Sequence, residues 1–261
     1  MASGPSTLER LISFPGEIEK ELLLAHTYEP VAKDILIVTH DQLPCLKQCI
    51  QSIRDNTEHY QIYLWVNGSL PAVQEWALSQ DDMTVTCSET NEGFIIPNNR
   101  LIAQGNSPFV ILLNDDTVVY PGWDKAMIGY MQATGAAQVG YIGGWLDEDF
   151  KGSRFGWGSE VDYIPGWCFA IPRSIYDYYG LFDQWYLKLA YGEDADFSLR
   201  LQKAGQRIHA LHLGLVFHHE NMTIKNLAEN HDFQASFEQN HALLRWRWGG
   251  YYAASRLPKW S

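Results

Sequence analysis

Phe109-Val110-Ile111-Leu112-Leu113-Asn114-Asp115-Asp116-Thr117 sets an unbroken apolar run directly against Asn, Asp, Asp and Thr. A run of this length and character is the pattern of a strand buried on both faces of a parallel sheet. The abrupt switch to turn-forming residues ends it. In sheets of this kind ligands bind beyond the carboxyl ends of the strands. Asp115 and Asp116 are therefore expected at the ligand edge.

Upstream, the same alternation repeats. Ile35-Leu36-Ile37-Val38 is a second buried strand, and Pro44 opens a helix with Leu46, Ile50 and Ile53 on one face. Ile62 to Val66 reads as a strand stopped by Asn67-Gly68-Ser69, Pro71 to Ser79 as a helix, Met83 to Cys87 as a strand, and Pro97 to Gln104 as a helix. Strands alternating with helices imply a parallel sheet with right-handed crossovers. The loops after Val38, Val66 and Leu113 then share one edge. Downstream the pattern is less regular. Val139 to Trp145 and Val161 to Ile171 read as strands, separated by the Gly-rich, aromatic Lys151 to Gly158. Arg173 to Tyr179 is a short helix. Glu193 to Ala204 is a clearer one, with Phe197, Leu201 and Ala204 on one face and Gly205 as its stop. Ile208 to Phe217 is mostly apolar and runs into His218-His219. At the ends, Ser6 to Glu9 and Glu17 to His26 suggest short helices. The tail from Arg245-Trp246-Arg247-Trp248 reads as a lid or acceptor-side element, with ordinary core packing as the alternative.

Composition narrows the function classes. The chain has 261 residues, 46% hydrophobic and 19% charged, which suits one sizeable α/β core rather than disorder. A net charge of −12 gives no support for binding along a nucleic-acid backbone. No apolar run approaches the roughly 18–20 residues that span a bilayer, and the start of the chain lacks a signal-peptide pattern. The acidic flank of Glu17 to His26 argues against a peripheral-membrane helix there. Cys45, Cys49, Cys87 and Cys168 show no C-x-x-C spacing, so reduced thiols are expected. A cytoplasmic location follows, with peripheral attachment at a membrane left open. Ten Trp and fourteen Tyr supply aromatic surface of the kind that stacks on sugar rings.

Three local signals carry chemistry, each with a plain structural alternative. Asp115 and Asp116 offer hard oxygen ligands to a divalent ion that neutralises a diphosphate, although adjacent acids also make ordinary turns. Gly192-Glu193-Asp194-Ala195-Asp196 opens a helix, where acids favour the macrodipole. A carboxylate held there at a site edge can also act as general base toward a sugar hydroxyl. His218-His219 at a strand end offers imidazole for a metal such as Mn²⁺, or simple hydrogen bonding.

Their order is informative. Residues 35–220 resemble the family-2 inverting glycosyltransferases of GT-A fold, in particular the branch of rhamnosyltransferase-like enzymes of surface-polysaccharide synthesis. The resemblance runs through Ile35 to His40, Asn67-Gly68-Ser69, Asn91-Glu92-Gly93-Phe94 with Asn98-Asn99, Leu112 to Thr117 and Pro121-Gly122-Trp123. It continues through Gly180-Leu181-Phe182-Asp183, Gly192 to Asp196, Leu199-Arg200-Leu201, Ala204-Gly205 and Val216 to His219. It spans about seven-tenths of the chain.

The resemblance implies a Rossmann-like, mostly parallel central sheet flanked by helices, with a smaller acceptor-side region. The glycosyltransferase domain is expected over 34–222, with an N-terminal helical extension over residues 1–33 and an aromatic-rich C-terminal extension over 223–261 lying outside the resemblance. Within the domain, 34–117 is the nucleotide-binding half and 118–222 the acceptor and catalytic half. Asp116 and His218 become the expected ligands of Mn²⁺ or Mg²⁺, and Asp194 the expected base with Glu193 as its alternative. Thr39, His40, Asp41, Asn67, Asn91, Gly93, Asn98, Asn114 and Asp115 fall on the nucleotide and donor side. Gly166, Trp167 and Cys168 border donor sugar and acceptor. The partners implied are a nucleotide-diphosphate sugar and a glycan or other hydroxyl acceptor.

One position departs from the family pattern. An acid usually precedes Asn-Gly-Ser and touches the nucleotide, and this chain has Val66. Asp41 or another group takes that contact, or the nucleotide preference differs, or the site has decayed. Two other functions remain in view. A sugar-1-phosphate nucleotidyltransferase would want a Gly-rich basic loop after the first strand, where this chain has Thr39-His40-Asp41-Gln42-Leu43-Pro44. A carbohydrate- or nucleotide-binding protein of the same fold would lack turnover.

Overall fold

In the computed structural model, which describes residues 21, 28–186, 191–219 and 231–255, the alternating half folds as the apolar runs require. Strand β1 (Lys33–Thr39), helix α1 (Leu43–Asn56), β2 (Tyr60–Asn67), α2 (Pro71–Leu78), β3 (Met83–Ser88), α3 (Ile95–Ile102) and β4 (Phe109–Leu113) follow one another. β1 pairs in parallel with β2 and β4, and β2 with β3. Side chains alternate across a strand, so β1 serves two cores at once. Ile35 and Ile37 pack toward α1 and α2, while Leu36 packs toward α3. All three are almost completely buried, which is why the run carries no polar residue.

The second half is less regular. It holds β5 (Thr117–Val119), α4 (Trp123–Thr134), β6 (Gln138–Gly140), β7 (Gly143–Leu146), β8 (Gly152–Gly156), β9 (Cys168–Pro172), α5 (Arg173–Tyr179), α6 (Glu193–Lys203), β10 (Ile208–Ala210), β11 (Val216–His218) and α7 (His231–Ser255). The central sheet has seven strands in the order β10-β6-β9-β4-β1-β2-β3. It is mostly parallel, and β9 runs antiparallel to both β4 and β6. α1, α2 and α4 cover one face; α3, α6 and α7 cover the other.

Several expected boundaries shift for physical reasons. Val161 to Trp167 is not strand; only Cys168–Pro172 pairs in the sheet. Pro165 lacks an amide donor, and the amide of Ile164 is taken by the Ser198 hydroxyl at 3.1 Å. Val139 to Trp145 divides into β6 and β7, and the supposed spacer Lys151 to Gly158 contains β8, the partner of β7. α3 begins at Ile95, two residues before the expected Pro97, leaving that proline in the first turn where its missing N–H costs nothing. Ile208 to Phe217 holds the two short strands β10 and β11.

One face of the tail packs on the core over its described part. Leu244 is completely buried and Trp248 nearly so, while Trp246 is exposed. Arg247 and Trp248 both bond the Asp196 carboxylate, at 2.9 and 2.8 Å, fastening α7 to α6. The helices expected over Ser6 to Glu9 and nearly all of Glu17 to His26 lie outside the described residues. Among the described residues no helix is long and apolar enough to cross a membrane.

Candidate functional site

β4 delivers the acidic pair to the carboxyl edge of the sheet. Beyond Leu113 the Asn114 amide donates to the Trp167 carbonyl at 2.8 Å, so the chain leaves the strand tied to the segment before β9. Thr117 then opens β5, which pairs antiparallel with β11 so that Thr117 lies opposite His218. The His219 amide donates to the Asp116 carbonyl at 2.9 Å and extends that ladder by one residue. This register sets His218 Nε2 3.0 Å from Asp116 Oδ1. The Trp167 ring stacks on the His218 ring, with centroids 4.8 Å apart and planes 9° from parallel.

These residues fit a divalent ion. His218 Nε2 is buried and makes no hydrogen bond to another described residue, although it faces a carboxylate oxygen. An imidazole nitrogen and a carboxylate oxygen converging in this way form a mixed donor pair suited to Mn²⁺ or Mg²⁺. Among the described residues no group of three or more His, Cys, Asp or Glu side chains gathers to hold a metal. A two-residue site of this kind leaves coordination positions for substrate phosphate oxygens and water. Asp115 is buried beside it and accepts a 2.6 Å hydrogen bond from Thr39 Oγ1. Burial pushes its carboxyl up to about 7; the Thr39 bond opposes this and the Asp116 charge adds to it.

The loops after β1, β2 and β3 meet beside this pair. His40 Nδ1 donates to the Asn67 carbonyl at 2.8 Å, which fixes the ring tautomer. Asn67 ties the next loop, its amide donating to Asn91 Oδ1 and the Gly93 carbonyl while its oxygen accepts from the Glu92 amide. Gly68 has φ +62°, and a Cβ there would sit 2.4 Å from the Asn91 amide nitrogen, so no other residue fits. Asp41, also at positive φ, accepts from the Leu70 amide at 2.7 Å. Its carboxylate therefore stands at the start of α2, three residues beyond the end of β2. Val66 itself points into the core with Ile35 and Ile37.

The third component is the start of α6. Gly192 takes φ +110° and turns the chain into the helix. Asp194 is buried; its Oδ2 accepts from the Gly166 amide at 3.1 Å and its Oδ1 from the Ala195 amide at 2.8 Å. Burial raises its pKa; the two amide bonds and then the His241 imidazole pull it back. Glu193 is raised too, first by burial and then by the Asp194 charge. Asp196, the third acid, is structural: Tyr186, Arg200, Arg247 and Trp248 all bond its carboxylate.

The fold thus brings Asp115, Asp116, His218, Trp167, Gly166 and Asp194 into one connected region. Other expected residues serve the frame. Cys168 is buried in the core, its thiol held far above the usual range by burial, so it presents nothing to a sugar. Asn98 is buried and donates to the Phe94 carbonyl at 2.9 Å, one turn back. Asn67 spends both side-chain atoms on neighbouring loops. Sequence reading passed over Tyr163, Tyr191 and His241 around Asp194. Tyr163 and His241 arrive from segments remote in sequence, while Tyr191 directly precedes Gly192.

The family model for Glycosyl transferase family 2 matches residues 34–192. No curated protein sequence gives a significant match. Among solved structures, GalNAc-T7 with UDP, GalNAc and Mn²⁺ superposes with a TM-score of 0.63 at 14% identity, over 84% of this chain and 53% of that one. The mannosyltransferase PcManGT from Pyrobaculum calidifontis, in complex with GDP-Man and Mn²⁺, superposes with a TM-score of 0.55 at 12% identity, over 77% of this chain and 64% of that one. At these identities the likeness establishes the fold, which is GT-A. The chain spans about half the length of the first of these structures.

Proposed function

This chain belongs to glycosyl transferase family 2, and we propose that it moves a sugar from a nucleoside-diphosphate sugar to an acceptor hydroxyl with inversion at the anomeric carbon. One observation carries the reading. The dipeptide Gly166-Trp167 touches both candidate centres, its amide bonding Asp194 at 3.1 Å and its indole stacking on His218 at 4.8 Å. A leaving diphosphate beside Asp116 and His218 would therefore sit across a short span from a base at Asp194.

A bound divalent ion would supply positive charge to the diphosphate as its bond to the sugar breaks. Asp116 and His218 would hold that ion, and Thr39 keeps Asp115 oriented beside it. Asp194 takes the proton of the acceptor hydroxyl as that oxygen attacks the anomeric carbon from the opposite face. The sugar–phosphate bond breaks as the new bond forms, and its electron pair leaves with the diphosphate. A single displacement inverts the centre and needs no enzyme nucleophile. Asp41, whose carboxylate caps the start of α2, takes the nucleotide contact that Val66 cannot make. The acceptor is read as a glycan or glycoconjugate and the enzyme as rhamnosyltransferase-like, on the motif resemblance.

Residues 34–117 form the nucleotide half and 118–222 the acceptor half. The burial of Leu244 and Trp248 supports counting α7 with the acceptor half rather than as a separate extension. The test is a donor screen. The protein is incubated with Mn²⁺, a panel of nucleotide sugars and mixed glycan acceptors, and nucleoside diphosphate release is measured. Release from one donor class is expected. Sugar binding without release would favour a binding protein, and conversion of a nucleotide sugar by added pyrophosphate into nucleoside triphosphate and sugar-1-phosphate would favour a nucleotidyltransferase.

A further inference from the structure

Apart from the site around Asp116, His218 and Asp194, the sheet edge at β10 holds a second cluster of reactive groups. His209, in the middle of β10, has both ring nitrogens engaged. Nδ1 lies 2.7 Å from Ser159 Oγ, and Nε2 lies 3.0 Å from Glu21 Oε1. The other oxygen of Glu21 accepts from the His212 amide at 2.7 Å, so both carboxylate oxygens are held. Tyr130 on α4 stacks on the imidazole, with centroids 4.2 Å apart and planes 14° from parallel, which fixes the ring. Gly158 and Ala210 exchange backbone hydrogen bonds at 2.8 and 3.0 Å, and this bridge sets Ser159 beside β10. Glu21 and His209 are buried, whereas Ser159 is exposed.

The tautomer follows from the partners. An ionised carboxylate only accepts, so Nε2 carries the proton of the neutral ring and Nδ1 is left to accept from the Ser159 hydroxyl. A hydroxyl on a bare imidazole nitrogen, with the ring oriented by a carboxylate, is the arrangement that activates a serine nucleophile. Anchoring Glu21 to the sheet edge would need only Nε2 and the His212 amide. The surface hydroxyl on the other nitrogen is no part of that anchor. Ser159 and His209 also line a cleft with Tyr130, Thr134 and Arg207. Its open space is about 180 Å³. That is less than the roughly 300–1,000 Å³ of ordinary small-molecule sites, so the cleft fits a short acyl group. A Cβ on Gly158 would meet nothing within 4 Å, which leaves the approach to Ser159 clear on that side.

We propose that Ser159, His209 and Glu21 form a second catalytic site, a serine hydrolase centre for short-chain carboxylic esters. Ser159 Oγ attacks the ester carbonyl carbon while its proton passes to His209 Nδ1. The carbonyl π pair moves to oxygen, where the Arg207 guanidinium offers positive charge. As that pair returns, the bond to the alcohol oxygen breaks, and the departing oxygen takes the proton from Nδ1. Water then attacks the acyl-serine with His209 again as base, releasing the carboxylic acid and restoring the serine hydroxyl. This site is independent of the glycosyl transfer proposed above.

The test uses full-length protein and a fluorophosphonate, which phosphonylates activated serines, with the labelled peptide identified by mass spectrometry. An adduct is expected on Ser159 in wild type and not in Ser159→Ala, whose exposed position leaves the fold intact. His209→Gln should slow labelling of Ser159 by on the order of 10²–10⁴. If thermal melts show that variant to be unfolded, Glu21→Gln decides instead, with labelling slowed at least about 10-fold. Hydrolysis of p-nitrophenyl acetate is the second readout, and it should fall at least about 10-fold in Ser159→Ala. No adduct on Ser159, labelling unchanged in a folded His209→Gln or Glu21→Gln protein, or equal ester hydrolysis by wild type and Ser159→Ala each overturns the proposal and leaves the three residues as an anchor for Glu21.

Discussion

His218 Nε2 faces Asp116 Oδ1 at 3.0 Å because β11 pairs with β5 in the one register that sets His218 opposite Thr117. A slip by one residue would bring Phe217 or His219 to that place and turn the imidazole to the other side of the ribbon. The site therefore depends on a two-stranded ladder of three residues a side as much as on its ligands.

Asp116→Asn and His218→Ala should each weaken Mn²⁺ binding in the presence of nucleoside diphosphate by at least about 10-fold, with the fold retained. Calorimetry with the metal, with and without the nucleotide, measures this. Chelation of wild type should abolish transfer, and added Mn²⁺ or Mg²⁺ should restore it. Full transfer by a metal-stripped preparation would remove the metal from the mechanism.

Asp194→Asn should cost on the order of 10²–10⁴ in kcat while donor affinity is largely kept. Glu193→Gln, one residue away with the same charge change, is the control and should lose less. If the effects are reversed, the base is Glu193; if both variants turn over normally, the start of α6 takes no part in the chemistry.

The pH dependence of stability carries a sign. Burial and then the Asp194 charge raise the Glu193 pKa in the fold. A raised carboxyl stabilises the protein while it is protonated, below its unfolded value, and that contribution is lost as pH rises through the folded one. Glu193→Gln should therefore raise Tm at pH 9 more than at pH 5. A pH-independent ΔTm in thermal melts would show that the carboxylate is not penalised by burial.

Removing the core anchors of α7 should destabilise the protein rather than open a cleft. Leu244→Ala is expected to cost about 2–5 kcal/mol and Trp248→Ala about 3–5 kcal/mol. Urea denaturation gives both values. Near-wild-type stability with a raised acceptor KM would return the tail to the role of a lid.

Gly68→Ala should destabilise by more than about 1 kcal/mol, since it adds strain at positive φ and a clash with the Asn91 backbone. Gly122→Ala is a comparison at similarly positive φ with nothing within 4 Å, so strain alone acts there. The difference between the two in chemical denaturation isolates the contact between the loops after β2 and β3.

The parallel half of the fold was legible because each of its elements announces itself locally. The apolar runs at Ile35, Ile62 and Phe109, with Pro44 and Pro71 at helix starts, are short-range signals, and a buried strand needs no partner to be recognised as one. The edge on which Asp115 and Asp116 stand follows from strand direction alone. Other features needed the tertiary structure. The antiparallel insertion of β9, the split of Val139 to Trp145 and the pairing of β5 with β11 depend on partners remote in sequence, and Pro165 and three-residue strands leave too little periodicity to read. Cys168 and Asn98 sat within motifs that suggested contact with donor or acceptor, and only packing revealed that their side chains are buried. The chain by itself determined the parallel half of the sheet, its ligand edge and the acids at that edge, since those rest on local apolar pattern and strand direction. The meeting of His218 with Asp116, of Gly166 with Asp194 and of α7 with the start of α6 was decided by long-range register and burial, which no local stretch of sequence encodes.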